Sequence, residues 1–142
     1  MKYMILLYGS QRDYDAMTGQ SADGPAWSAE ELAAMGQFMQ EWNSELVASG
    51  EFVDAQGLAA PVHTRRVQLT NGVAAVTDGP YAETQEVLAG YTIVDCESFD
   101  RATEIAARLA KCPPGPGGGE GQYADVRPID DGVGGGDPAQ QD

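Results

Sequence analysis

Basic residues are scarce in this chain: 8 lysines and arginines stand against 22 aspartates and glutamates, for a formal net charge of −14. A field of that sign repels phosphate backbones and anionic headgroups, so neither nucleic acid nor a membrane surface is expected as a direct partner. Long hydrophobic runs are missing too. The apolar stretch from Met4 to Tyr8 is far shorter than a bilayer span, and the amino terminus lacks the extended apolar region of a secretory signal, so a cytoplasmic protein is expected. The two cysteines, Cys96 and Cys112, have no metal-ligand spacing and are expected to be free thiols in a reducing compartment. With one histidine, His63, and scattered carboxylates, no metal and no cofactor is expected. The sequence also has no Walker loop, serine nucleophile elbow or dinucleotide glycine fingerprint, which leaves nucleotide and acyl-transfer chemistry without support.

What is present suits one small α+β domain over residues 1–130, followed by a Gly-rich acidic tail over residues 131–142 that has nothing to bury and is expected to be disordered. The opening strand is continuously apolar after Lys2, the pattern of a central strand covered on both faces. Residues 9–27 have loop composition. Ser28 and Glu31 have capping-box spacing, and Leu32, Met35, Met39, Trp42 and Leu46 trace one helical stripe as far as Gly50. A short strand is predicted over 51–56. Asn71-Gly72 then marks a two-residue hairpin turn, pairing 67–70 with 73–77. Residues 87–95 form the next strand. Ser98 caps a second helix whose buried side is Ala102, Ile105, Ala106 and Leu109, which ends at Pro113-Pro114, and a last strand is predicted over 123–129. This order gives a ferredoxin-like βαββαβ antiparallel sheet of four or five strands with two helices on one face. The other face would be left exposed in a monomer, so a homodimer forming an α+β barrel with a central cleft is expected.

The segment Val76-Thr-Asp-Gly-Pro-Tyr-Ala-Glu-Thr-Gln-Glu-Val-Leu-Ala-Gly-Tyr91 resembles the DGPF signature of the YCII-related family, with Tyr81 in place of the phenylalanine. The opening Lys2-Tyr-Met-Ile-Leu-Leu, Gly57-Leu58, Pro61, Asp95 and the closing Val126-Arg-Pro-Ile129 extend the likeness across residues 1–130. The resemblance implies the dimeric ferredoxin-like α+β barrel also used by muconolactone isomerases and small monooxygenases. Some family members carry a histidine on the first helix that, with an aspartate, suggests an enzyme, whereas residues 28–49 here contain none. Members of the DGPF branch also resemble domains attached to, or found near, extracytoplasmic-function sigma factors, which implies a protein partner in transcription initiation.

Two readings of the chemistry follow. In one, an unidentified small molecule occupies the barrel cleft and Asp78 acts as a general base for cofactor-free proton transfer; in the other, the Asp78-Gly79-Pro80 turn is a scaffold element of a non-catalytic sensing or interaction protein. His63 is either a proton shuttle or a surface-loop residue. Arg65 and Arg66 offer guanidinium forks to an anionic ligand, and Tyr81 lies beside the signature turn. Tyr91 and Asp95, two strand steps apart on one face of the strand from Ile93, are candidates to place a phenol and a carboxylate in one pocket, although Tyr91 also suits the core. Glu83 and Glu86 lack the spacing of a calcium loop and are expected to be solvated.

Overall fold

In the computed structural model, which describes residues 1–20 and 24–130, each of the three α-helices starts at a serine whose Oγ accepts the backbone N–H three residues on. Ser28 and Glu31 form the predicted capping box of α2, Ala29–Ser49, which ends at Gly50 in the left-handed region (φ 79°). Ser98 caps α3, Phe99–Ala107, which continues as a 3-10 turn through Lys111 before the prolines. The third helix corrects the sequence expectation. Residues 9–27 are not loop throughout: Ser10 and Asp13 form a capping box for α1, Gln11–Thr18, which closes on Gly19 at φ 77°. No side chain of α1 is fully buried, and with 8 residues it is too short for an apolar stripe to repeat and betray it. It is held by bonds to its surroundings, the Tyr14 hydroxyl donating to the Leu58 carbonyl at 2.9 Å.

The strands are β1 Lys2–Gly9, β2 Phe52–Gly57, β3 Arg65–Thr70, β4 Val73–Asp78, β5 Val87–Asp95 and β6 Ala124–Pro128. Four of them form one antiparallel sheet in the order β2-β5-β1-β6, so the apolar β1 is central, as its composition predicts. The split connectivity, with α2 and α3 as crossovers, makes this an α+β ferredoxin-like fold. β3 and β4 stand apart as a two-stranded sheet, turning at Asn71 (φ 51°) and Gly72 (φ 78°) as the Asn-Gly dipeptide requires.

Alternation along the central strands decides which side is core. Tyr3 and Ile5 of β1 and Val94 of β5 point toward the helices and close on Trp42 and Leu46 of α2 and Ala102 and Ile105 of α3, so both helices cover the same face. The Trp42 indole donates to the Ile105 carbonyl at 3.0 Å, which satisfies the one polar atom it brings into the core. At the rim, Arg101 makes a two-pronged ion pair with Glu51, at 2.9 Å and 2.8 Å, and ties α3 to the segment entering β2. Ser49 adds a third bond to the same carboxylate at 2.8 Å, and the Glu51 carboxyl is held down at about 2, chiefly by the arginine. Cys96 and Cys112 are both free thiols, as expected, and burial raises the pKa of each. The tail over residues 131–142 lies outside the described residues.

Candidate functional site

Five of the predicted candidates come together at the root of the β3–β4 hairpin. Counting outward from the Asn71-Gly72 turn places Arg65 opposite Asp78, and their side chains form a 3.3 Å ion pair. Both are solvated, 78% and 82% exposed, so the single chain does not bury the Asp78 carboxylate. The Arg66 guanidinium lies over the Tyr81 ring, 5.3 Å from its centre. Gly79, at φ 54°, donates its N–H to the Thr64 carbonyl at 2.8 Å and so closes the root on itself. His63 sits exposed at the end of the short 3-10 turn Pro61–His63. The start of α1 fixes both ends of this root to the body: Gln11 Oε1 accepts the Val62 N–H at 2.8 Å, and the Arg12 N–H donates to the Glu83 carbonyl at 3.0 Å.

Tyr91 and Asp95 take different partners. Asp95 takes the N-terminal ammonium of Met1 at 3.0 Å, at the end of β5. Tyr91 instead donates its hydroxyl to Asp54 of the neighbouring β2 at 3.2 Å, because the β2–β5 register sets Asp54 against Ile93, one step from Tyr91. Tyr91 is half-buried rather than core, on the face of the sheet turned away from the helices.

That open face is the one the sequence predicts a single chain to leave uncovered, although the tyrosine–carboxylate pairs on it were not singled out. Met4 and Leu6 of β1 and Tyr91 and Ile93 of β5 form its half-buried centre, paired Met4 with Ile93 and Leu6 with Tyr91. Carboxylates flank the centre, Asp54 and Asp125 on the two edge strands and Glu86 just before β5, each engaged by a tyrosine. Tyr91 bonds Asp54 on one side; on the other Tyr8 donates to Asp125 at 2.9 Å, and Tyr123, its ring centre 5.2 Å from that of Tyr8, donates to Glu86 at 2.8 Å. Arg127, opposite Met4, puts a cation on this face, and alternation along β1 puts Lys2 there as well. The pKa of each phenol is raised: by the bond to Asp125 for Tyr8, by the bond to Glu86 for Tyr123, and by desolvation, then Asp54, for Tyr91. These tyrosines therefore stay protonated donors near neutrality, and the face presents hydrogen-bonding groups around an apolar floor. The one signal in the sequence was that Met4, Leu6 and Tyr8 repeat the apolar period of Tyr3, Ile5 and Leu7, so β1 is apolar on both sides.

Two hollows elsewhere run along α2, one of about 770 Å³ beside Gln37, Glu41 and Glu45 and one of about 500 Å³ beside Asn43, Val47 and Phe52. No predicted candidate lines either. Among the described residues no three histidine, cysteine, aspartate or glutamate side chains converge as a metal site would need, and no helix is long and apolar enough to cross a membrane.

The family model described as the YCII-related domain matches residues 1–126. A protein of Rhizobium meliloti (strain 1021), described as uncharacterized, is 31% identical over 104 residues, which cover 73% of this chain and 80% of the relative.

Proposed function

The chain belongs to the YCII-related domain family, and from that premise we propose that it is a cytoplasmic homodimer that binds a small organic molecule at the open face of its sheet. The observation that carries this reading is the asymmetry of the sheet. One face is sealed by α2 and α3, whereas Met4, Leu6, Tyr91 and Ile93 on the other are only half-buried by their own chain. Apolar strand faces of this kind lower their free energy by packing on a second sheet, and two such sheets close a barrel with a cleft between them. The Tyr91–Asp54 and Tyr8–Asp125 pairs border that cleft and supply the directional contacts a ligand needs.

Proton transfer by Asp78 is the narrower enzymatic reading, and it requires a second copy to dry a carboxylate that is 82% exposed in the single chain. That same exposure, with the Arg65 pair, favours a second reading: a non-catalytic sensing or interaction protein in sigma-factor-dependent transcription initiation, with Asp78-Gly79-Pro80 as the clamp of the hairpin root. A thermal-shift screen against small metabolites separates them, since a ligand of the native state raises the melting temperature by mass action. The proposal expects a hit that is lost in Asp54→Asn and Tyr91→Phe and kept in Asp78→Asn. A hit lost only in Asp78→Asn would move the site to the hairpin root. A screen without hits would leave the interaction reading in its place.

A further inference from the structure

The three tyrosines bordering the open face each spend their single O–H on a carboxylate: Tyr91 on Asp54 at 3.2 Å, Tyr8 on Asp125 at 2.9 Å and Tyr123 on Glu86 at 2.8 Å. A phenol has one proton to give and an ionised carboxylate has none, so what these pairs keep for a ligand is lone pairs. The face is also polarised along its strands. Lys2, opposite Asp95, lies roughly 20 Å from Tyr8 along β1 at about 3.4 Å per residue. Arg127 stands in the Met4 row, whereas Asp125 is opposite Leu6 and the Tyr123 ring packs on that of Tyr8, their centres 5.2 Å apart. The Tyr8 phenol is raised first by its bond to Asp125 and lowered only weakly by Arg127. The Tyr123 phenol is raised first by its bond to Glu86, then by desolvation, and by the charges of Glu86 and Asp125 as well. Two carboxylates and two packed rings therefore share one end of the face, and the cations Lys2 and Arg127 lie toward the other.

We propose that the open face takes a small amine, its ammonium group held at the Tyr8–Tyr123 end by Asp125 and Glu86 and its apolar body lying along Leu6 and Met4. The inference rests on the small-molecule site proposed above and adds its chemical class. An ammonium group is all donor and no acceptor, the complement of pairs that have only lone pairs left. The rings favour the same charge, because an aromatic face carries negative potential, and Tyr123 is 53% exposed and open to a ligand. An anion placed here would meet two carboxylates and would have to break a tyrosine–carboxylate bond to gain a donor from either phenol. A neutral alcohol can donate one bond but brings no charge to answer the carboxylates.

The test is isothermal titration calorimetry of the full chain at neutral pH with three probes of similar size and different charge: 2-phenylethylamine, which is protonated there, 2-phenylethanol and 3-phenylpropionate. The amine should bind at least about tenfold more tightly than the alcohol, and the carboxylate most weakly. Asp125→Asn and Glu86→Gln keep an acceptor for their tyrosines and remove one charge each, at positions exposed in the single chain, so both variants should retain the wild-type circular dichroism spectrum. Each should weaken the amine at least about fivefold and change the alcohol little. Equal affinity for amine and alcohol, tighter binding of the carboxylate, or amine binding unchanged in both variants would overturn the amine class and leave the open-face site standing. Binding of none of the three would overturn it too, and whether the face holds any ligand at all is read separately, from the metabolite screen with Asp54→Asn and Tyr91→Phe.

Discussion

Replacing Glu51 by glutamine isolates the charge of the Glu51–Arg101 pair while leaving a side chain of the same size able to accept from Arg101 and Ser49. The carboxyl is held at about 2 against its ordinary 4.5, first by the two bonds from Arg101 and then by Ser49. At about 1.4 kcal/mol per pH unit that depression has a ceiling of roughly 3.5 kcal/mol. The arginine side chain is 31% exposed and the glutamate 15%, so water screens the pair and the expected loss in Glu51→Gln is about 1.5–2 kcal/mol at neutral pH. The sign follows from linkage. Above about pH 4.5 the carboxylate is ionised in both folded and unfolded chains and its contribution is complete; as the pH falls toward about 2 only the unfolded chain takes up the proton, and the contribution drains away. Urea unfolding of wild type and Glu51→Gln at about pH 7 and about pH 2.5 should give a gap in stability that largely closes in acid. An equal gap at both pH values, or none at pH 7, would refute the reasoning.

Trp42→Phe removes the indole donor to the Ile105 carbonyl from a site that is 3% exposed, and should cost about 2–3 kcal/mol in urea unfolding through the lost bond and the space left behind. Gly115→Ala would place a Cβ 2.2 Å from Cε2 of Trp27, a distance no packing tolerates, so the indole or the segment carrying residue 115 must move. The Trp27 indole N–H resonance should shift in that variant while the Trp42 resonance stays in place; two unchanged indole signals would contradict the contact.

Much of the fold is legible because local signals and long-range packing agree. Ser28 with Glu31, Gly50, Asn71-Gly72 and the 87–95 strand each name a boundary that the structure keeps, since caps and turns depend on residues a few positions apart. α1 escaped for the opposite reason. None of its residues is fully buried and it runs for only 8 residues, too few for an apolar stripe to repeat, so the Ser10–Asp13 spacing is what announces it. The site was harder still. The Arg65–Asp78 pair follows from counting down the hairpin from its turn, but Tyr91 meeting Asp54 rather than Asp95 depends on how β2 docks on β5, with a register shift between Phe52 and Asp54. Such a bulge has no local mark in the sequence. The division of β1 into a sealed face and an open one, by contrast, follows from the strand–helix order, which already puts both helices on the same side.

The central claim is that a second copy covers the open face of the sheet, and Ile93→Lys tests it most directly. Ile93 is half-buried there beside Met4, so a lysine in the single chain can extend to solvent with its stem along the sheet. A charge placed between two packed sheets cannot. Sedimentation velocity should show the wild-type chain at twice its 15.0 kDa and the folded Ile93→Lys chain at 15.0 kDa. A wild-type protein that sediments as one chain, or an Ile93→Lys protein that remains a dimer as stable as wild type, would contradict the account.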